Sequence, residues 1–203
     1  MPCFPDLDPP LAAPGVMVRL AAEWDIPEIL IAHQDDPQLH ARIGLPRPPS
    51  GAELGRRTER SDDERSAGRS VWLTILAPGS EECRGQIDVH DVDWDHRRAG
   101  LVVWVAPRDR GRGLATAALK LTGRWLLETC GLERVELLAQ PDNAPMLGAA
   151  RAAGFTREGV LRAYLRERRR RVDVAVMSIV RGDLEGPECP AQPASRLRRV
   201  ERS

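Results

Sequence analysis

A mixed α/β domain, built on a largely antiparallel sheet with helices on its faces, is the fold class this sequence predicts. Three observations carry that prediction. The strand-like runs "RSVWLTILAP", "CRGQIDVHDV" and "AGLVVWVAP" follow one another across short polar turns, as neighbouring antiparallel strands do. Residues 101–140 then read as strand, helix and strand, with the crossover length that parallel pairing requires. Two further runs, "GVLRAYL" and "RVDVAVMSIV", flank the charged text "RERRRR" and read as a closing hairpin.

Taken in order, residues 1–15 are rich in proline and carry no period, so a flexible lead-in is expected there. "VMVRL" is a short strand. Asp25 is a candidate N-cap for the helix that follows it, with Pro27 in the first turn and Ile26, Ile29, Leu30 and His33 at helical spacing. Residues 46–68 are polar and hold at most one surface helix, whose charge run is a solvated face. After the three strands, Leu114, Ala117, Ala118, Leu121, Trp125 and Leu126 form a helical stripe closed by Gly131. "ERVELLAQ" is the next strand, and Asn143 to Ala153 a helix ended by Gly154. Residues 183–203 read as a flexible, arginine-bearing tail, which leaves 16–182 as one domain.

Composition narrows the function classes. Thirty basic residues balance thirty acidic ones, so nothing global points to a polyanionic partner. Aromatic residues make up only 4% and no reading helix or stacking platform is present, so no specific nucleic-acid partner is expected. No run approaches the roughly 18 apolar residues of a membrane span, and the N-terminus lacks a signal-peptide pattern; a cytoplasmic protein with no membrane partner is expected. Cys3, Cys83, Cys130 and Cys189 are scattered, as in a reducing compartment. Asp91, Asp93 and Asp95 alternate like the start of a calcium loop, but His96 stands where glycine is needed and Val102 where glutamate is needed, so no metal is expected.

The most informative stretch is "WVAPRDRGRGLATAAL", residues 104–119, where strand text becomes helix text through two glycines and three arginines. Such a junction exposes free backbone N–H groups at a helix N-terminus, a ready anion site. Gly111 and Gly113 let the backbone approach phosphate oxygens closely, and Arg108, Arg110 and Arg112 add positive charge. Neither G-x-x-x-x-G-K-[ST] nor G-x-G-x-x-G is present, which removes the two common nucleotide loops.

The R-x-x-G-x-G text at 108–113, together with "GLERVELLAQPDNAPMLGAARAAGFTREGVLR", resembles the GNAT acetyltransferases, and the terminal hairpin resembles their ribosomal-protein N-terminal acetyltransferase branch. The resemblance spans roughly Val16 to Gly182 and implies a GNAT-like domain that takes acetyl-CoA as co-substrate. It implies that the backbone of Arg110, Gly111, Arg112, Gly113, Leu114 and Ala115 holds the pyrophosphate, with Arg108 closing the start of the loop. Val103, Trp104 and Val105 would run beside the pantetheine arm, a backbone N–H there polarising the thioester carbonyl, and Asn143 would stand near the thiol end.

The implied reaction is N-acetylation of a primary amine, a protein N-terminus or a small molecule, by direct attack. Near pH 7.5 roughly a third of an α-amine is neutral, against about one lysine amine in a thousand. Base candidates lie in "GQIDVHDVDWDH": Gln86, Asp88 and His90 share one strand face, and Asp88 or His90 could take the proton. The chain departs from the family pattern at Ala150, where many members carry a tyrosine acid, at Met146 for a serine, and at Gly100 for a glutamate. Tyr164 is a substitute acid. These departures leave an alternative, an acyl-CoA-binding sensor or interaction module without turnover. The exposed sheet edges fit a homodimer.

Overall fold

The protein is described by a computed structural model covering residues 3–167 and 170–184. In chain order the elements are β1 (Leu11–Ala13), β2 (Val16–Leu20), α1 (Ile26–Asp35), α2 (Leu39–Arg42), α3 (Gly51–Ser66), β3 (Val71–Leu76), β4 (Gly85–Asp93), β5 (Arg98–Val105), α4 (Leu114–Arg124), β6 (Arg134–Ala139), α5 (Ala144–Ala152), β7 (Thr156–Glu167), β8 (Arg170–Val180) and α6 (Arg181–Leu184). The strands form one sheet in the order β1-β2-β3-β4-β5-β6-β8-β7, antiparallel throughout except for the β5–β6 pair. This is the mixed sheet the sequence predicts.

Alternation along the central strands feeds two cores. Val71, Leu73, Ile75, Ile87, Val89, Leu101, Val103 and Val105 pack on the face covered by α4 and α5. Trp72 and Trp104 turn to the other face and pack with Ile29 and Ala32 of α1, Leu39 of α2 and Leu54 of α3. Helix α3 is the surface helix allowed for residues 46–68. Ser50 and Glu53 form its capping box, each supplying an acceptor to the other's backbone N–H.

Four local differences from the sequence expectation have physical causes. The flexible lead-in expected over residues 1–15 instead contributes strand β1, which pairs with β2, and Phe4, which is 1% exposed. The Phe4 ring stacks 5.9 Å from Trp125 and sits 5.2 Å from Trp94, and burying such a side chain is worth about 1.5–3 kcal/mol. The Asp25 side chain does not cap α1. Its carboxylate is buried and accepts from both terminal nitrogens of Arg19, from the Thr74 hydroxyl and from the Ala22 N–H, which ties α1 to β2 and β3.

The long helix predicted to reach Gly131 changes geometry at Trp125–Thr129, a single π turn in which Cys130 N–H bonds Trp125 C=O. Trp125, Leu126 and Leu127 of this wider turn are all buried in the core. Strand β7 bulges between Leu161 and Leu165, with Ala163 at φ +52° and its N–H held by Asp173. Of the turn expected at residues 166–171, Arg166 and Glu167 pair with Arg171 and Arg170 as the ends of β7 and β8, and the first two residues of the tail expected at 183–203 belong to α6; residues 168–169 and the tail from 185 onward lie outside the described residues.

The β6–β8–β7 edge is stapled by charge. Arg134 of β6 bonds both oxygens of Glu158 on β7 at 2.6 and 2.5 Å, and Ser178 of β8 donates to Glu158 at 2.7 Å. Those bonds, Arg134 first, draw the Glu158 carboxyl from an ordinary 4.5 to about 2. A depressed folded-state value means a contribution fully present above the unfolded value and lost as pH falls toward the folded one. Glu158→Gln is therefore expected to lower the melting temperature by the same amount at all pH values above 4.5 and to converge on wild type near pH 2, as read by thermal denaturation across pH.

Candidate active site

Strands β5 and β6 pair in parallel only from Arg98–Arg134 to Leu101–Leu137; beyond that point they separate, β6 staying with β8 and β5 with β4. A cavity of about 730 Å³ occupies the resulting gap. Main-chain groups alternate sides along a strand, and Ala106 N–H donates to Arg84 C=O on the β4 side. The amides of Val103 and Val105 therefore face the gap. They are strand donors with no strand opposite.

At one end of the gap β5 runs into the glycine junction. Gly111 and Gly113 adopt φ +76° and +78°, the left-handed region that strains any L side chain, and Gly113 is the N-cap of α4. The first N–H to find an acceptor inside α4 is that of Ala117, bonded to Gly113 C=O, which leaves the amides of Leu114, Ala115 and Thr116 without intrahelical partners. Nothing lies within 4 Å of where a Cβ would stand on either glycine. The junction is thus a shallow, open cradle of amides at a helix N-terminus, suited to phosphate oxygens.

The junction's arginines are engaged elsewhere. Asp109, 2% exposed, accepts from Arg84 and Arg112 at 3.2 Å, with Arg108 Nε at 3.5 Å. Arg108 also pairs with Glu82. Arg110 spans from Val105 C=O, 3.1 Å, to Asp36 at the end of α1, 2.7 Å. Burial works against the Asp36 charge, but the hydrogen bonds from Arg110 and the Gln38 N–H, with the nearby Arg42, hold its carboxyl below the usual range. These contacts shape the loop from below.

Of the residues singled out by sequence, the cavity wall brings together His90, Val103, Trp104, Val105, Arg110, Gly111, Gly113, Leu114, Ala115, Asn143 and Tyr164. Arg108 and Arg112 are not among its wall residues. Asn143 caps α5, its Oδ1 accepting from Met146 N–H at 3.3 Å. Tyr164 reaches the wall from the β7 bulge and is half exposed. His90 bonds Asp91 at 3.0 Å, and its ring lies over Gly100, where a Cβ would come within 2.8 Å of Cε1. The glycine at 100 makes room for that imidazole.

Asp88, on the same strand face as His90, instead lines a second cavity of about 300 Å³ between α1, α3 and the sheet. The two cavities share Ile43, Val102 and Trp104. Arg57 of α3 lies 4.5 Å over the Trp72 ring and holds Asp88 Oδ2 at 2.6 Å. His33 packs 6.2 Å from Trp104, and burial, then the neighbouring His40, lowers its pKa and favours the neutral ring. Glu136, paired with Arg134, also reaches the larger cavity. Sequence reading missed these last contributors, because Asp36, Arg57 and Glu136 carry no local pattern that ties them to a site.

Burial pushes the Cys83 and Cys130 thiols up to about 12, which keeps these two protonated and poor nucleophiles. Among the described residues no group of three or more His, Cys, Asp or Glu side chains gathers as a metal site. No helix there is long and apolar enough to cross a membrane.

Residues 16–156 match the acetyltransferase (GNAT) domain family. Mycobacterium smegmatis RimJ, solved in complex with CoA-disulfide, superposes with a TM-score of 0.72 at 25% identity over 83% of each chain. The ribosomal-protein-S5-alanine acetyltransferase of Vibrio fischeri gives 0.75 at 16% identity, covering 86% of this chain and 97% of that one. The spermidine N-acetyltransferase of Vibrio cholerae, solved with CoA and spermine, gives 0.72 at 17%, covering 84% and 98%.

Proposed function

The chain belongs to the GNAT acetyltransferase family, and from that premise we propose that it moves the acetyl group of acetyl-CoA onto a primary amine by direct attack at the junction of its two cavities. The observation that carries this reading is the gap between β5 and β6, which runs from the amide cradle at Gly111–Thr116 past the inward-facing amides of Val103 and Val105. The cradle would hold the pyrophosphate and the strand amides the pantetheine arm. Acetyl-CoA supplies an activated acyl group, so the protein has to position, polarise and deprotonate.

A backbone N–H of the Val103–Val105 segment would donate to the thioester carbonyl oxygen. The amine nitrogen bonds to the acetyl carbon, the carbon–sulfur bond breaks, and the leaving sulfur departs as the CoA thiol. The amine's surplus proton passes to a base, for which Asp88 and His90 are the candidates on either side of the junction. Asn143 and Tyr164 both line the larger cavity; Asn143 is the candidate for the thiol end, and Tyr164 is a candidate proton donor to the sulfur.

The test is thiol release from acetyl-CoA in the presence of pooled primary amines, among them peptides with free N-termini and polyamines. Release that depends on an added amine is expected. CoA binding without release from any amine would instead favour the sensor reading that Gly100, Met146 and Ala150 raise.

A further inference from the structure

Arginines in this protein generally hold a carboxylate: Arg19 pairs with Asp25, Arg57 with Asp88, Arg69 with Glu64, Arg97 with Glu133 and Arg134 with Glu158. Strand β7 breaks that habit. Arg157, Arg162 and Arg166 are exposed, and among the described residues their guanidinium groups have no ion pair and no hydrogen bond. Arg171, on β8, donates to the Tyr164 C=O at 3.4 Å. Residues 157–173 carry seven arginines against three acidic residues, in a chain whose thirty basic and thirty acidic residues cancel. Two of those three acids are already engaged, Glu158 by Arg134 and Ser178, and Asp173 by the Ala163 N–H.

β7 is also the end of the sheet, twelve residues long with no strand beyond it among the described residues. Its outer row of N–H and C=O groups is a template for an added strand, and Val160, Leu161, Tyr164 and Leu165 stand exposed along it. The arginines decide what can be added. A second copy paired edge to edge would set arginines against arginines, and like charges facing one another oppose pairing. A nucleic acid would find the charge but only one ring, Tyr164, to stack on in residues 156–167. An extended acidic polypeptide meets all three features, with main-chain partners for the edge, carboxylates for the arginines and side chains for the apolar positions between them.

Resting on the acetyltransferase reading above, we propose that the outer edge of β7 docks an extended acidic segment of the acceptor protein by strand addition. The dock lies outside both cavities yet adjoins one, because Tyr164 and Leu165 belong to β7 and also to the wall of the larger cavity. A segment whose carboxylates sit on Arg162 and Arg166 keeps its own N-terminal amine close to that cavity. The effect is to raise the local concentration of one class of amine, with no change at the reacting atoms.

The probes are peptides with a free N-terminus and a C-terminal fluorophore, Ala-Ala-Ala followed by three repeats of Glu-Val, Gln-Val or Arg-Val, with oligouridylate as the nucleic acid. Fluorescence anisotropy is expected to show the Glu peptide binding about tenfold tighter than the Gln peptide at about 0.05 M salt. That advantage should fade at about 0.5 M, where the screening length shrinks to a few ångströms. Arg162→Glu combined with Arg166→Glu is expected to invert the order in favour of the Arg peptide, which a mere loss of structure does not produce. Proline in place of each valine of the Glu peptide removes main-chain donors and is expected to weaken binding about tenfold. In thiol release from acetyl-CoA, the double variant should lower kcat/KM for the Glu peptide about tenfold through KM, with the rate for alaninamide within about twofold of wild type. Equal binding of the Glu and Gln peptides, an unchanged order in the double variant, undiminished binding of the proline peptide or tighter binding of oligouridylate would each overturn the dock, and equal kcat/KM for the Glu and Gln peptides would remove it from acceptor choice. Anisotropy is read without CoA, so a failure to bind CoA overturns the acetyltransferase reading separately.

Discussion

Leucine at Gly111 or Gly113 is expected to lower CoA affinity by about a hundredfold or more while leaving the melting temperature within a few degrees of wild type, since an αL conformation costs an L residue only about 1–2 kcal/mol. The asymmetry between binding and folding follows from the local geometry. No atom lies within 4 Å of a Cβ built on either glycine, so the substitution meets no clash in the free protein. What it strains is φ near +76° and +78°, the backbone setting that aims the amides ahead of α4. What it fills is the open face of the cradle. Asparagine tolerates the left-handed region far better than leucine, so Gly113→Asn should retain more affinity than Gly113→Leu. Isothermal calorimetry with CoA reads both effects, and unchanged affinity in the leucine variants would remove the loop from the binding site.

Removing the proton acceptor is the second large effect. Asp88→Asn keeps the shape of the side chain and is expected to lower kcat/KM about a hundredfold, within the range for a general base, with CoA affinity unchanged. His90→Gln tests the other side of the junction. A loss confined to Asp88→Asn would place the proton in the smaller cavity, and a loss confined to His90→Gln would place it over Gly100, where the imidazole occupies the space a larger residue would need. Thiol-release kinetics at saturating acetyl-CoA distinguish the two. Wild-type rates in both variants would take the whole Gln86–His90 face out of the mechanism.

The glycine junction was legible because it breaks two periods at once: strand alternation stops at Val105, helical spacing starts at Leu114, and glycine serves the intervening positive φ values without strain. The antiparallel run β3–β4–β5, the parallel β5–β6 crossover and the closing β7–β8 hairpin were legible for the same reason, since each element is long enough to show its period, whereas the insertion of β8 between β6 and β7 was not. Strand β1 was not, because three residues in proline-rich text show no period and the burial of Phe4 depends on Trp94 and Trp125, some ninety and more residues away. The π turn at Trp125–Thr129 and the bulge at Ala163 are tertiary choices: an alanine at positive φ carries no local signature. The smaller cavity draws on α1, α3, β3, β4 and β5, so His33 read as one more position of a helical stripe and Arg57 as part of a solvated charge run. Nothing in either segment signals that they meet over Trp72 and Trp104. The arginines that mark the loop also pair with Asp109, Glu82 and Asp36, contacts that no local sequence pattern signals.

The most direct test of the acetyltransferase account is calorimetric titration of the purified protein with acetyl-CoA, with ATP as the comparison for a polyphosphate lacking the pantetheine arm. The account predicts saturable one-to-one binding of acetyl-CoA and little or none of ATP, because the arm, lying along the inward-facing amides of Val103 and Val105, supplies contacts that the phosphates alone do not. Equal binding of the two ligands, or no binding of acetyl-CoA, would contradict it.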